Sequence, residues 1–150
     1  MEKTLVILIV ITILVGTIFF LFFRVEYIES IQINQDVIDI INSKFEENYN
    51  QKTEFLLCLK GKIKDGVGYI DDAIESNVIT FNEEGIEAGC PFSTFGTIHN
   101  HNNFVCKLSS QDLYTFGISR DSMMGIICGG DKIVFYTPNS LKQSVDVKIT

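Results

Sequence analysis

Phe95-Gly96-Thr97-Ile98-His99-Asn100-His101, followed by Leu108-Ser109-Ser110-Gln111-Asp112-Leu113, is the stretch on which the reading of this 150-residue chain turns. Its two histidines are the only ones in the chain. In a strand, residues i and i+2 point to one face, so His99 and His101 can reach a single ion. Imidazole nitrogen is a ligand that suits zinc well. Two histidines do not fill a tetrahedron; Asp112 supplies a third protein ligand and leaves the fourth position to water, as in an open rather than a closed zinc site. Read alone, Ser109-x-x-Asp112 is a helix N-terminus, with Ser109 capping and Asp112 near the positive end of the dipole. The two readings are compatible, because a capped helix start also holds a ligand rigidly.

Upstream, Glu54 opens the apolar run Phe55-Leu56-Leu57-Cys58-Leu59. A charge at such a place is ordinarily a strand end at the surface. Taken together, Glu54, Gly96 to His101 and Leu108 to Leu113 resemble the JAMM (MPN-plus) family of zinc metalloproteases, whose pattern is a distant Glu, then H-x-H-P, then S-x-x-D. The similarity runs over residues 28–137 and is nearest to compact prokaryotic and archaeal members. Where the family has proline after the second histidine, this chain has Asn102. Proline fixes its own φ, so Asn102 and Asn103 predict a looser loop over 102–108 without the loss of any ligand.

The resemblance implies an α/β fold, a single JAMM/MPN-like domain in which a mixed β-sheet packs with helices. It implies one zinc per chain with a bound water, held by His99, His101 and Asp112. Glu54 takes the water's proton as general base and returns it as acid, and Ser109 donates a hydrogen bond to the oxyanion. The substrate implied is an isopeptide or C-terminal peptide bond of a ubiquitin-like protein or its conjugate. Short segments around Asp112 and at 83–94 leave no room for large insertions, which points to a minimal catalytic core without tight linkage selectivity. Two alternatives stand beside this reading. A relative that trims a sulfur-carrier protein uses the same five residues. A catalytically inactive scaffold tethering a partner at the membrane fits less well, because all five positions are kept.

Residues 4–23 carry no charge and are dominated by Leu, Ile, Val and Phe. Twenty residues of helix rise about 30 Å, the thickness of a bilayer's hydrocarbon core. The run is long for a signal peptide and no A-x-A-like cleavage site follows it, so a single-pass transmembrane helix over 4–23 is expected, with one domain over 25–150. Lys3 lies on one side and Arg24 on the other, so the flanking charges hardly set the orientation. A ubiquitin-like substrate would place the catalytic domain in the cytoplasm. The formal net charge of −7 argues against nucleic acid as a partner.

Apolar spacing predicts a short extended run at 27–33, then a helix capped by Asn34 and reaching Tyr49, with Val37, Ile41 and Phe45 as its buried stripe. Strands are expected at 54–63, 67–74 and 77–82, with Lys64-Asp65-Gly66 as a turn. Residues 85–92 read as a loop. A strand over 95–101 carries both histidines, a helix over 110–118 carries Asp112, and strands follow at 123–128 and 132–137. The four cysteines, Cys58, Cys90, Cys106 and Cys128, allow three full pairings among which the sequence does not choose. A disulfide between Cys106 and Cys128 would lie beside the site, although an intracellular domain ordinarily keeps its thiols reduced. A cysteine nucleophile working with His99 would leave His101 and Asp112 unexplained.

Overall fold

The computed structural model describes residues 27–51, 53–82, 85–91, 93–101, 103, 105–119, 121–129, 132–141 and 145–150. The span expected over 4–23 lies outside the described residues, as does Asn102. Among the described residues no helix is long and apolar enough to cross a membrane.

Local chemistry builds the elements. After β1 (Ser30–Ile33) comes α1 (Gln35–Tyr49), whose N-cap Asn34 is extended and makes no side-chain cap bond. What holds α1 is its stripe of Val37, Ile38, Ile41 and Phe45, all buried; burying side chains of this size stabilises by about 1.5–3 kcal/mol each. β2 (Leu56–Lys64) and β3 (Val67–Glu75) form a hairpin. At its tip Asp65 (φ 53°) and Gly66 (φ 78°) take the left-handed pair that a two-residue turn requires. β4 (Asn77–Asn82) pairs with β5 (Gly85–Gly89) in a second hairpin. Next come β6 (Gly96–Asn100), α2 (Ser110–Ile118), β7 (Met123–Ile127), β8 (Ile133–Tyr136) and β9 (Asp146–Ile149). Gly96 has a steric reason to be glycine, because a Cβ there would collide with the Met123 backbone on β7.

Seven strands form one mixed sheet in the order β8-β7-β6-β2-β3-β1-β9. β6 pairs antiparallel with β2 and parallel with β7, so it is enclosed on both edges, and each of its five residues is buried. Alternation along β6 and β7 sorts side chains into two layers. Ile98 and Ile127 join the main core with Ile41, Phe45 and Leu57 on the α1 face. Met124 and Ile126 join Phe116 of α2 and Tyr136 on the other. His99 stands opposite Ile126 and Asn100 opposite Ile127. The imidazole is therefore on the α2 face, and the asparagine between the two histidines points towards the α1 face.

Three expectations are corrected. Gly85–Gly89, read as part of a loop, is strand β5, because pairing with β4 satisfies its backbone groups. β9 was not foreseen; its Val145-Asp146-Val147-Lys148-Ile149 alternation is short, and it forms only by lying parallel to the distant β1. The metal strand ends at Asn100, so His101 lies just past the last paired residue.

Candidate metal centre

His99 and His101 turn their Nε2 atoms towards each other at 3.2 Å. Asp112 closes the group, with Oδ1 3.2 Å from His99 Nε2 and Oδ2 3.0 Å from His101 Nε2. Among the described residues these three form the one cluster whose donor atoms could share a metal ion. Their side chains are only 10%, 13% and 16% exposed, so water screens the group weakly.

Each ligand is held differently. His99 belongs to the central strand, and its Nδ1 is buried without a hydrogen-bond partner among the described residues. His101, beyond the ladder, is held by its ring: Nδ1 lies 3.0 Å from the Val105 carbonyl oxygen. A carbonyl can only accept, so Nδ1 carries the proton and neutral His101 presents a lone pair at Nε2. Asp112 is fixed by a reciprocal capping box at the start of α2. Its N–H donates to Ser109 Oγ (3.1 Å), and its Oδ2 accepts from the Ser109 N–H (2.6 Å). One carboxylate thus serves as helix cap and as donor atom facing both histidines.

Glu54 stands two residues before Leu56, the partner of His99 across β2 and β6. Its backbone is held from the metal strand by Asn100, which is 1% exposed. Asn100 Oδ1 accepts from the Phe55 N–H (2.8 Å), and its Nδ2 donates to the Thr53 carbonyl (3.1 Å). Those are the peptide units on either side of the Glu54 Cα. Neither Asn100 nor the Val105 carbonyl was singled out from sequence. A buried asparagine inside an apolar strand was a usable signal, since it must find partners; a backbone carbonyl gives no sequence signal.

Two imidazole lone pairs and a carboxylate pointed at one spot are unfavourable unless a cation lies between them. Protons partly answer this in the metal-free chain. The hydrogen bond to Asp112 raises the pKa of His101 against the opposing effect of burial, with the Asp112 charge, the Val105 carbonyl and the Glu54 charge adding to the rise. Burial disfavours the charge on Asp112, but hydrogen bonds from His101 and His99, the His99 charge and Ser109 outweigh it, and the carboxyl is held well below the usual range. A metal ion answers the same need more fully. Ligands about 2.0–2.1 Å from a tetrahedral zinc stand about 3.3–3.4 Å from one another, and separations of 3.0–3.2 Å are close to that edge. The donor set fits zinc.

The described residues also contain two disulfides, Cys58–Cys90 and Cys106–Cys128, with Cα–Cα distances of 5.6 and 5.0 Å. The second joins the loop between His101 and Ser109 to the end of β7.

No family model matches the chain. No curated protein sequence matches it either. Its fold does match solved structures. One, described as a JAMM metalloprotease-like zinc site in the proteasome and signalosome, is 21% identical; the match covers 81% of this chain and 98% of that one, with a TM-score of 0.55. A Jab1/MPN domain protein from Archaeoglobus fulgidus is 20% identical over 81% of this chain and 97% of its own, also at 0.55. A protein from Desulfitobacterium hafniense, solved in solution, is 10% identical over 80% and 92%, again at 0.55. The chain has the JAMM/MPN fold.

Proposed function

We propose that this chain is a membrane-anchored zinc metallopeptidase of JAMM type, hydrolysing an isopeptide or C-terminal peptide bond of a ubiquitin-like protein. The observation that carries the proposal is the convergence of His99, His101 and Asp112 at 3.0–3.2 Å on one face of a JAMM/MPN fold. Zinc bound there supplies Lewis acidity, which acidifies water and polarises an amide carbonyl. Glu54, held by Asn100 beside the histidines, takes the proton from the attacking water and delivers it to the leaving amine. Ser109 Oγ accepts from the Asp112 N–H, which leaves its own hydrogen to donate to the developing oxyanion. Leu113, Tyr114 and Ile118 are exposed on the helix that carries Asp112, an apolar flank suited to a polypeptide rather than to a small polar substrate.

One observation favours a second reading of where this happens. A ubiquitin-like substrate calls for a cytoplasmic domain, whereas two disulfides favour an oxidising compartment. On that reading the anchor over 4–23 carries the domain on the non-cytoplasmic side, and the substrate is an exported polypeptide cleaved by the same residues. Reporter fusions at residue 150 decide the side: a signal confined to the oxidising side retires the ubiquitin-like substrate and keeps the peptidase.

The metal content of the purified full-length chain tests the chemistry without any guess at substrate. About one zinc per chain, lost when His99 and His101 are both replaced by Ala, is the expected result. A folded chain that takes up no added zinc would overturn the peptidase reading and leave the scaffold in its place.

A further inference from the structure

We infer that the Cys106–Cys128 disulfide is part of the support of the metal centre: it fixes the Val105 carbonyl that orients His101, so that metal affinity depends on this bond being closed. The inference rests on reading His99, His101 and Asp112 as metal ligands.

The structure gives a continuous path. His101 lies beyond the last residue that β6 pairs, so the sheet does not set its ring; the Val105 carbonyl does, at 3.0 Å. Val105 is itself poorly tied. The residue is 44% exposed, and its N–H donates to Asn103 Oδ1, 3.2 Å away in the same loop. The next residue carries the attachment. Cys106 is bonded to Cys128, and its carbonyl accepts from the Tyr136 hydroxyl at 3.3 Å, a long bond. Cys128 follows directly on Ile127, the β7 partner of Asn100, and its N–H donates to the Lys132 carbonyl at 2.9 Å. The disulfide thus carries the rigidity of β7 to the Val105 carbonyl that selects the His101 tautomer. Partners of this kind, one step behind a metal ligand, change metal affinity by ~10–100-fold when removed.

The other disulfide lacks such a link. Cys58 is fully buried within β2, and its bond to Cys90 ties down the end of the β4–β5 hairpin. Cys90, Cys106 and Cys128 are each partly exposed, so a reductant reaches both bonds. With a phosphine, the S–S bond breaks, two thiols form with protons from water, and the phosphine leaves as its oxide carrying the water oxygen.

The test compares zinc affinity, by competition with a chromophoric chelator, and the visible spectrum of the cobalt-loaded protein. It uses the oxidised full-length chain, C106S/C128S and C58S/C90S. Serine avoids leaving free thiolates, which bind zinc themselves. Expected are a ~10–100-fold loss of affinity and an altered cobalt spectrum in C106S/C128S, with C58S/C90S close to the parent in both. Should C106S/C128S fail to fold by circular dichroism, C58S/C90S, whose remaining bond is Cys106–Cys128, is reduced with a phosphine, alkylated and measured instead, with the same loss expected. Equal affinities in all three proteins, or equal losses in both double variants, would refute the clamp while leaving the metal site standing. If the oxidised parent binds no zinc, the metal reading fails and the inference goes with it.

Discussion

His99 and His101 stand two residues apart and are held by different physics. His99 is carried by a strand paired on both edges, which sets where its ring stands. His101 lies past the ladder, and its ring is aimed by a loop carbonyl, that loop by a disulfide, and the facing carboxylate by a helix cap. The strand half of the centre is positioned by the fold as a whole. The loop half is assembled from local devices, of which the disulfide and the helix cap can each be removed by one substitution.

The largest effect is expected on the loop half. Asp112→Ala removes a donor atom and the carboxylate half of the capping box, so zinc should be lost and the metal-free chain should also lose about 0.5–1.5 kcal/mol of stability. Asp112→Asn separates the two roles, since the amide oxygen still accepts from the Ser109 N–H; stability should stay near the parent while zinc affinity falls. Metal analysis with thermal melts checks both, and normal zinc in Asp112→Ala would remove Asp112 from the ligand set.

Glu54→Gln should lower cleavage by ~10²–10⁴-fold and leave zinc stoichiometric. Loss of zinc in that variant would contradict the assignment of Glu54 to the water rather than the metal. Asn100→Ala tests the strand half from its hidden side. The Thr53 carbonyl and the Phe55 N–H lose a buried partner, at a cost of about 1–3 kcal/mol in stability. Turnover should fall with zinc retained, and adding Glu54→Gln should lower it no further than Glu54→Gln alone. An additive double variant would mean that Asn100 does not act through Glu54.

The smallest effect lies behind α2. Ser119 Oγ donates to the Phe116 carbonyl and accepts from the Asp121 N–H. Burial raises the Asp121 pKa above its ordinary 3.8, partly offset by the hydrogen bond to Ser119. A carboxyl raised in the folded state is protonated more readily there than in the unfolded chain. Its charge therefore destabilises the fold at neutral pH, and the penalty is relieved as pH falls through the folded value. Asp121→Asn should raise the melting temperature slightly at pH 7, and the gain should vanish below pH 3.8. A gain unchanged at low pH would assign the effect to packing.

What the sequence made legible follows the same division between local and distant chemistry. The Asp65-Gly66 turn, the α1 stripe and the bounds of α2 could be read because each signal lies within a few residues of what it specifies. The spacing of His99, His101, Ser109 and Asp112 is likewise local. β9 was not legible, since it pairs with the distant β1, and β5, although next to its partner β4, is bounded by Gly85 and Gly89, which read as turn residues. The partners of Asn100 lie 45 and 47 residues away in sequence, so its role was not singled out. The cysteine pairing depended on where β2 and β7 ended in space, which spacing alone does not encode.

The central place of β6 has a kinetic consequence. Opening its amides to solvent requires unzipping β2 or β7 first, so their hydrogen exchange should approach the rate set by global unfolding. The described residues between His101 and Leu108 carry no such ladder and should exchange through small local openings. Metal can then enter and leave by movement on the His101 side alone, on a timescale far shorter than that of unfolding, while His99 waits in place.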